Sequence, residues 1–137
     1  MPARRCVVTG QVEGGRSVVV SDTMVDPVEV SLLPGFEFHR LWGSDNPPAL
    51  PSEGTPPGQQ RYFPPAGGYR FGFFTVGPVS SAPAPDIDIV SALDELDQRL
   101  PGLSEVMEPD QPGMHTTDTV DLDLVLSGEV WLELDDG

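Results

Sequence analysis

The chain has 137 residues, of which 22 are acidic and 7 basic, for a net charge of −15. So negative a balance repels phosphate backbones and anionic bilayers, so neither nucleic acid nor a membrane is expected as a partner. The length suits one domain over residues 1–137 with a single core, and 16 prolines with 15 glycines point to a β-rich body carrying long irregular loops.

Cys6 is the only cysteine, which excludes an intramolecular disulfide and a cysteine metal cluster. Its setting, Arg5-Cys6-Val7-Val8, reads as an apolar strand position with a buried structural thiol. The charged start Met-Pro-Ala-Arg-Arg is not followed by an apolar run of signal-peptide length. No stretch approaches the roughly 18 apolar residues that span a bilayer. A cytoplasmic, reducing compartment is the expected location.

In chain order, Arg4–Thr9 and Arg16–Ser21 are valine-rich strands around a glycine-containing connection. Pro34-Gly35 signals a turn, and Phe36–Trp42 alternates as a third strand. Residues 43–68 hold seven prolines, which cannot donate to a sheet ladder, so this stretch is expected to be a surface loop. Tyr69–Val76 is an aromatic strand. Over Ile87–Leu100 the period changes: Ile89, Leu93, Leu96 and Leu100 fall at helical spacing, Asp86 or Asp88 can cap the start, and Pro101-Gly102 ends it. A short helical turn is expected around Leu103–Met107. From Val120 to Leu134 the even positions are apolar, which predicts two antiparallel strands turning at Ser127-Gly128.

Asp135-Asp136-Gly137 is itself a hairpin signal after an alternating strand. It implies that the domain is incomplete at its C-terminus, or that another chain supplies the missing strands, since a free edge invites pairing.

The stretch from Pro112 to Val130 resembles the first conserved motif of cupins. His115, Thr117, Asp121 and Gly128 stand at the positions of its two histidines, its glutamate and its glycine, while Pro109 replaces the glycine that usually opens it. Glu37-Phe38-His39 with Leu41-Trp42, and Phe63-Pro64-Pro65 with Gly67-Gly68, are also similar to small bacterial cupins. The resemblance implies an all-β, jelly-roll barrel, here incomplete, with one short helix near 89–100. It implies a small organic ligand inside the barrel and a divalent transition metal (Zn, Fe, Mn or Ni) on His115 and Asp121, or no metal, because Thr117 replaces one histidine and the family's second motif is absent. Thr117 and Asp121 are then ligand-binding groups, and Asp118 or Asp123 are the helpers of His115 and Asp121 in holding a metal. On a strand, residues two apart share a face, so 115, 117 and 121 can converge. The opposing reading buries Val120, Leu122, Leu124 and Leu126 and leaves Asp121 and Asp123 in water.

Glu37 and His39, two apart on one strand, read as a solvent-facing edge, with His39 at a rim or subunit contact. Three functions stay open: a metal-dependent enzyme of small-molecule or secondary metabolism, a metal-free sensing or sequestering cupin, and a strand-exchanging homodimerisation module. Whether the chain is an enzyme stays open too, and no catalytic residue is assigned.

Overall fold

Valine-rich strands at the N-terminus form a two-stranded ribbon of β1 (Arg4–Val12) and β2 (Arg16–Val25). This computed structural model describes residues 2–55, 61–78, 80–111 and 113–136. Residues 56–60 of the expected loop, Pro112 at the head of the motif stretch and Gly137 of the terminal turn lie outside the described residues.

The ribbon pairs from Arg4↔Val25 to Val12↔Arg16, with Val20 as an extra residue on β2. Its tight turn, Glu13–Gly15, places Gly14 at φ 80 and Gly15 at φ 75, a backbone region that glycine enters without steric cost. Both strands run longer than the sequence suggests. Gly10 lies inside β1, and a Cβ there would strike the Glu53 backbone. The strand continues to Val12 beside the 52–54 backbone, where the Gln11 amide donates to the Ser52 carbonyl at 3.1 Å. Cys6 is half-buried on β1 rather than fully enclosed.

A second ribbon joins β3 (Glu37–Ser44) to β4 (Tyr69–Thr75), antiparallel from Glu37↔Thr75 to Ser44↔Tyr69. Val28 extends its other edge by exchanging two backbone bonds with Phe38, each 2.9 Å. The turn before it forms at Pro34-Gly35, with Gly35 at φ 83.

The helix α1 spans Ile89–Arg99. Asp88 is its cap, accepting from the Val90 and Ser91 amides at 3.1 and 3.4 Å, which satisfies donors that no helical carbonyl reaches. Gly102, at φ 81, lets the chain leave the helix, and a short 3-10 turn follows at Ser104–Val106. The buried face differs from the expected stripe. Ala92, Leu96, Leu100 and Leu103 are buried, while Ile89 and Leu93 are exposed.

The core brings Val30 and Phe38 against Leu96, Leu100 and Leu103, with Phe36, Tyr62, Phe63 and Met107 packed around them. Tyr62 and Phe63 therefore correct the reading of residues 43–68 as a surface excursion: part of that stretch is core wall. The other face of β3 is covered as well. His39 is buried, not solvent-facing, because the start of the first ribbon lies over it: its Nε2 is 3.3 Å from the Pro2 carbonyl oxygen. Arg4 sits 5.5 Å above the ring of Phe73, the cross-strand partner of His39. The order of layers is helix, second ribbon, first ribbon.

Residues 120–134 depart most from expectation. Gly128 adopts the φ of 80 that a turn requires, yet no strand forms on either side. Val120, Leu122 and Trp131 are 100%, 97% and 90% exposed. A lone two-stranded hairpin is marginal in water, and among the described residues no further strand or helix is placed to support one here. The regular structure of the described chain is thus mostly strand with one short helix, and its two sheets of two strands do not close into a barrel.

Candidate functional site

The stretch carrying His115, Thr117 and Asp121 is positioned by backbone pairing that the sequence does not announce. Residues 106–108 run antiparallel to 114–116: Glu108 and Thr116 donate their amides to the Met114 and Val106 carbonyls at 2.9 and 3.0 Å, and Met107 bridges His115. The Thr116 hydroxyl adds a bond to the Glu108 carboxylate at 2.7 Å. Because Met107 lies against the core, this small ladder ties the motif to the end of the helical segment.

The ladder sets the His115 ring on the ring of Phe63, centroids 5.6 Å apart and planes 29° from parallel. Phe63 meets Tyr62 edge to face at 4.9 Å, and Tyr62 meets Phe38 the same way at 5.6 Å. An aromatic path thus leads from the buried strand β3 to the motif histidine; such edge-to-face pairs contribute beyond their buried area. The turn holding Tyr62 and Phe63 is fastened from three sides. The Tyr62 amide donates to the Pro101 carbonyl at 2.8 Å, Arg61 pairs with Glu105, and the Arg61 carbonyl accepts from both Arg40 at 2.9 Å and Arg70 at 3.1 Å.

Beyond His115, a short polar chain follows. The Thr117 and Thr119 hydroxyls are 2.7 Å apart, and Thr119 donates to the Asp121 carboxylate at 3.2 Å. Thr117 and Thr119 are half-buried, while His115 and Asp121 are exposed. The motif stretch passes close enough to Tyr62 for its charges to be felt. Burial chiefly pushes the Tyr62 phenol above its usual pKa; the positive charge of Arg40 opposes this, and Asp121 and Asp123 add to it. Arg40, half-buried, has its own pKa lowered, first by burial and then by the charge of Arg70. Arg70 is fixed by Asp45 and by the Ser44 and Tyr69 carbonyls, each 2.9 Å away.

His115, Thr117 and Asp121 therefore lie along one wall of a polar and aromatic junction whose other wall is Arg40, Tyr62 and Phe63. The resemblance to the cupin motif singled out the first three. The second three were missed because they sit far back in the chain, and the only local signal was a Tyr-Phe pair inside a proline-rich loop.

This junction offers few donors to a metal ion. Among the described residues, no group of three or more His, Cys, Asp or Glu side chains is placed to hold a metal ion. His115 and Asp121 alone offer two ligands, fewer than the three or four of a dependable site, and a threonine hydroxyl is a poor third. Asp118, exposed, is not joined to them by a hydrogen bond.

Two cavities lie away from this junction. One of about 750 Å³ opens between the turn of the first ribbon and residues 51–55, beside Gln11, Glu13, Val18 and Glu53. Another of about 300 Å³ lies between residues 29–36 and Glu95 and Arg99. Neither includes a motif residue. Among the described residues, no helix is long and apolar enough to cross a membrane.

No protein-family model matches the chain, and no curated protein and no solved structure is found similar to it.

Proposed function

We propose that the chain binds a small organic molecule in the manner of a metal-free cupin, at the junction of β3, the Tyr62–Phe63 turn and residues 115–121. The observation that carries this reading is the stacking of His115 on Phe63 beside the linked hydroxyls of Thr117 and Thr119. It sets a flat apolar surface next to a row of hydrogen-bonding groups, the combination by which small-molecule sites fix orientation. The surrounding charges, Arg40 and Arg70 against Asp45, Asp121 and Asp123, nearly cancel. A neutral ring carrying hydroxyl groups suits such a setting better than an anion. In this reading the ring lies against Phe63 and His115, and its hydroxyls meet Thr117 and Asp121.

Thermal-shift measurements with phenol, catechol and resorcinol test this directly, since a ligand that binds only the folded state raises its melting temperature. Stabilisation by at least one of them is expected, unchanged by EDTA and diminished in Thr117→Val and Asp121→Asn. A ligand shift that survives both substitutions would place binding elsewhere. A shift abolished by EDTA would replace the metal-free reading with a metal-dependent one.

A further inference from the structure

The first ribbon and residues 118–136 are opposite in charge and alike in exposure, and among the described residues neither has a further strand beside it. Arg4, Arg5 and Arg16 against Glu13 and Asp22 give the ribbon a net charge of +1, so the rest of the chain carries −16. Residues 118–136 hold seven acids and no basic residue. Their even positions are apolar from Val120 to Leu126 and again from Val130 to Leu134, and this row is exposed throughout. On the ribbon, Val7, Val19, Val20 and Met24 are exposed as well.

The backbone shows the same complementarity. One edge of β1 is partly covered by residues 52–54, through the bond from Gln11 to Ser52. Among the described residues, no backbone bond joins the outer edge of β2 to another segment. An open, valine-rich edge strand is a template for a further strand, and an alternating segment without a partner is what such an edge accepts. The extra residue Val20 interrupts the edge and increases its twist, so pairing runs on either side of it rather than straight through.

We infer that two copies of this chain exchange these elements: residues 120–134 of one copy add as a strand to the outer edge of β2 of the other, and the reverse. The exchange is isologous, as two-fold dimers require, because each copy offers one donor segment and one acceptor edge. Charge selects the occupant. A polyanionic strand is repelled by most of an acidic molecule and accepted at a ribbon whose balance is positive and whose edge is open. The apolar rows of segment and ribbon then leave water together. This inference does not depend on the ligand reading.

Sedimentation equilibrium of the full chain in low salt tests it. A species of twice 14.7 kDa is expected, dissociating as salt rises because the selecting charges are exposed and screened. The double variant Leu122→Lys/Leu124→Lys changes side chains that are 97% and 81% exposed, so each copy still folds. Its dimer is expected to weaken by at least about tenfold, as truncations at interface centres do. Val19→Lys on β2, 62% exposed, should weaken it comparably. Three results would overturn the inference: a monomer at about 100 μM, a range where even weak specific pairs associate; a dimer indifferent to the Leu122/Leu124 change; or a dimer sensitive to that change but indifferent to Val19→Lys, which would put the segment on another surface.

Discussion

Leu100 is the residue on which the core most depends, and replacing it tests the fold directly. It follows α1, is 0% exposed, and packs with Val30, Phe38, Leu96 and Leu103. Leu100→Ala removes three carbons, a transfer loss of roughly 2 kcal/mol. A cavity term adds to it because neighbours held by the backbone pairing of Val28 with Phe38 relax only in part, which gives about 3–4 kcal/mol in all. Against a total stability of roughly 5–15 kcal/mol, that is a large fraction. Val90→Ala is the control, since Val90 lies on the same helix at 70% exposure and should shift stability by no more than about 0.5 kcal/mol. Urea unfolding followed by far-ultraviolet circular dichroism measures both. A Leu100→Ala loss below about 1 kcal/mol, or one no larger than that of Val90→Ala, would refute the assignment of helix and second ribbon to one core.

Two further outcomes follow from ionisation. Asp88, through its bonds to Ser91, and Glu95, through its bond to Ser31, both have their carboxyl pKa lowered. The stability they contribute is present above the unfolded carboxylate pKa of about 4 and is lost as pH falls through their lower folded values. Over that range the loss of stability with falling pH is expected to be less steep in Asp88→Ala and Glu95→Ala, and identical acid profiles would contradict the two contacts. In a Tyr69→Phe background, Tyr62 is the remaining tyrosine, and absorbance titration should place its ionisation above the ordinary value near 10. Asp121→Asn/Asp123→Asn should move it back down; no movement would separate residues 121–123 from the aromatic junction.

Much of the first ninety residues was legible because their signals are local. Valine runs flanking Gly14 and Gly15 specify a hairpin without reference to anything distant, Pro34-Gly35 closes its own turn, and Asp88 caps its own helix. His39 was misread for the complementary reason: alternation told which residues share its face, but not that Pro2 and Arg4 would lie over that face. Ile89 and Leu93 were assigned to the buried stripe by period alone, whereas Ala92 and Leu96 are the buried residues of the helix and Leu96 packs in the core with Phe38. For residues 120–134 the period of two describes how a strand would alternate and contains no information on whether a neighbour is present to hold it. The candidate site divides in the same way. The spacing of His115, Thr117 and Asp121 was visible in one short stretch; Tyr62, Phe63 and Arg40 reach them only through tertiary packing.

The confinement of the core to residues 28–38, 62–63 and 92–107 has a consequence for how this sequence can change over time. The side chains that decide whether the chain folds are not those that face outward on β2 or between Val120 and Leu134. Under the proposed exchange, a substitution at exposed Val19 or Leu124 alters what the molecule meets without threatening what keeps it folded, so the two kinds of selection act on separate stretches of text. Recognition can drift, sharpen or be lost at those outward positions while the packing around Leu100 stays as it is.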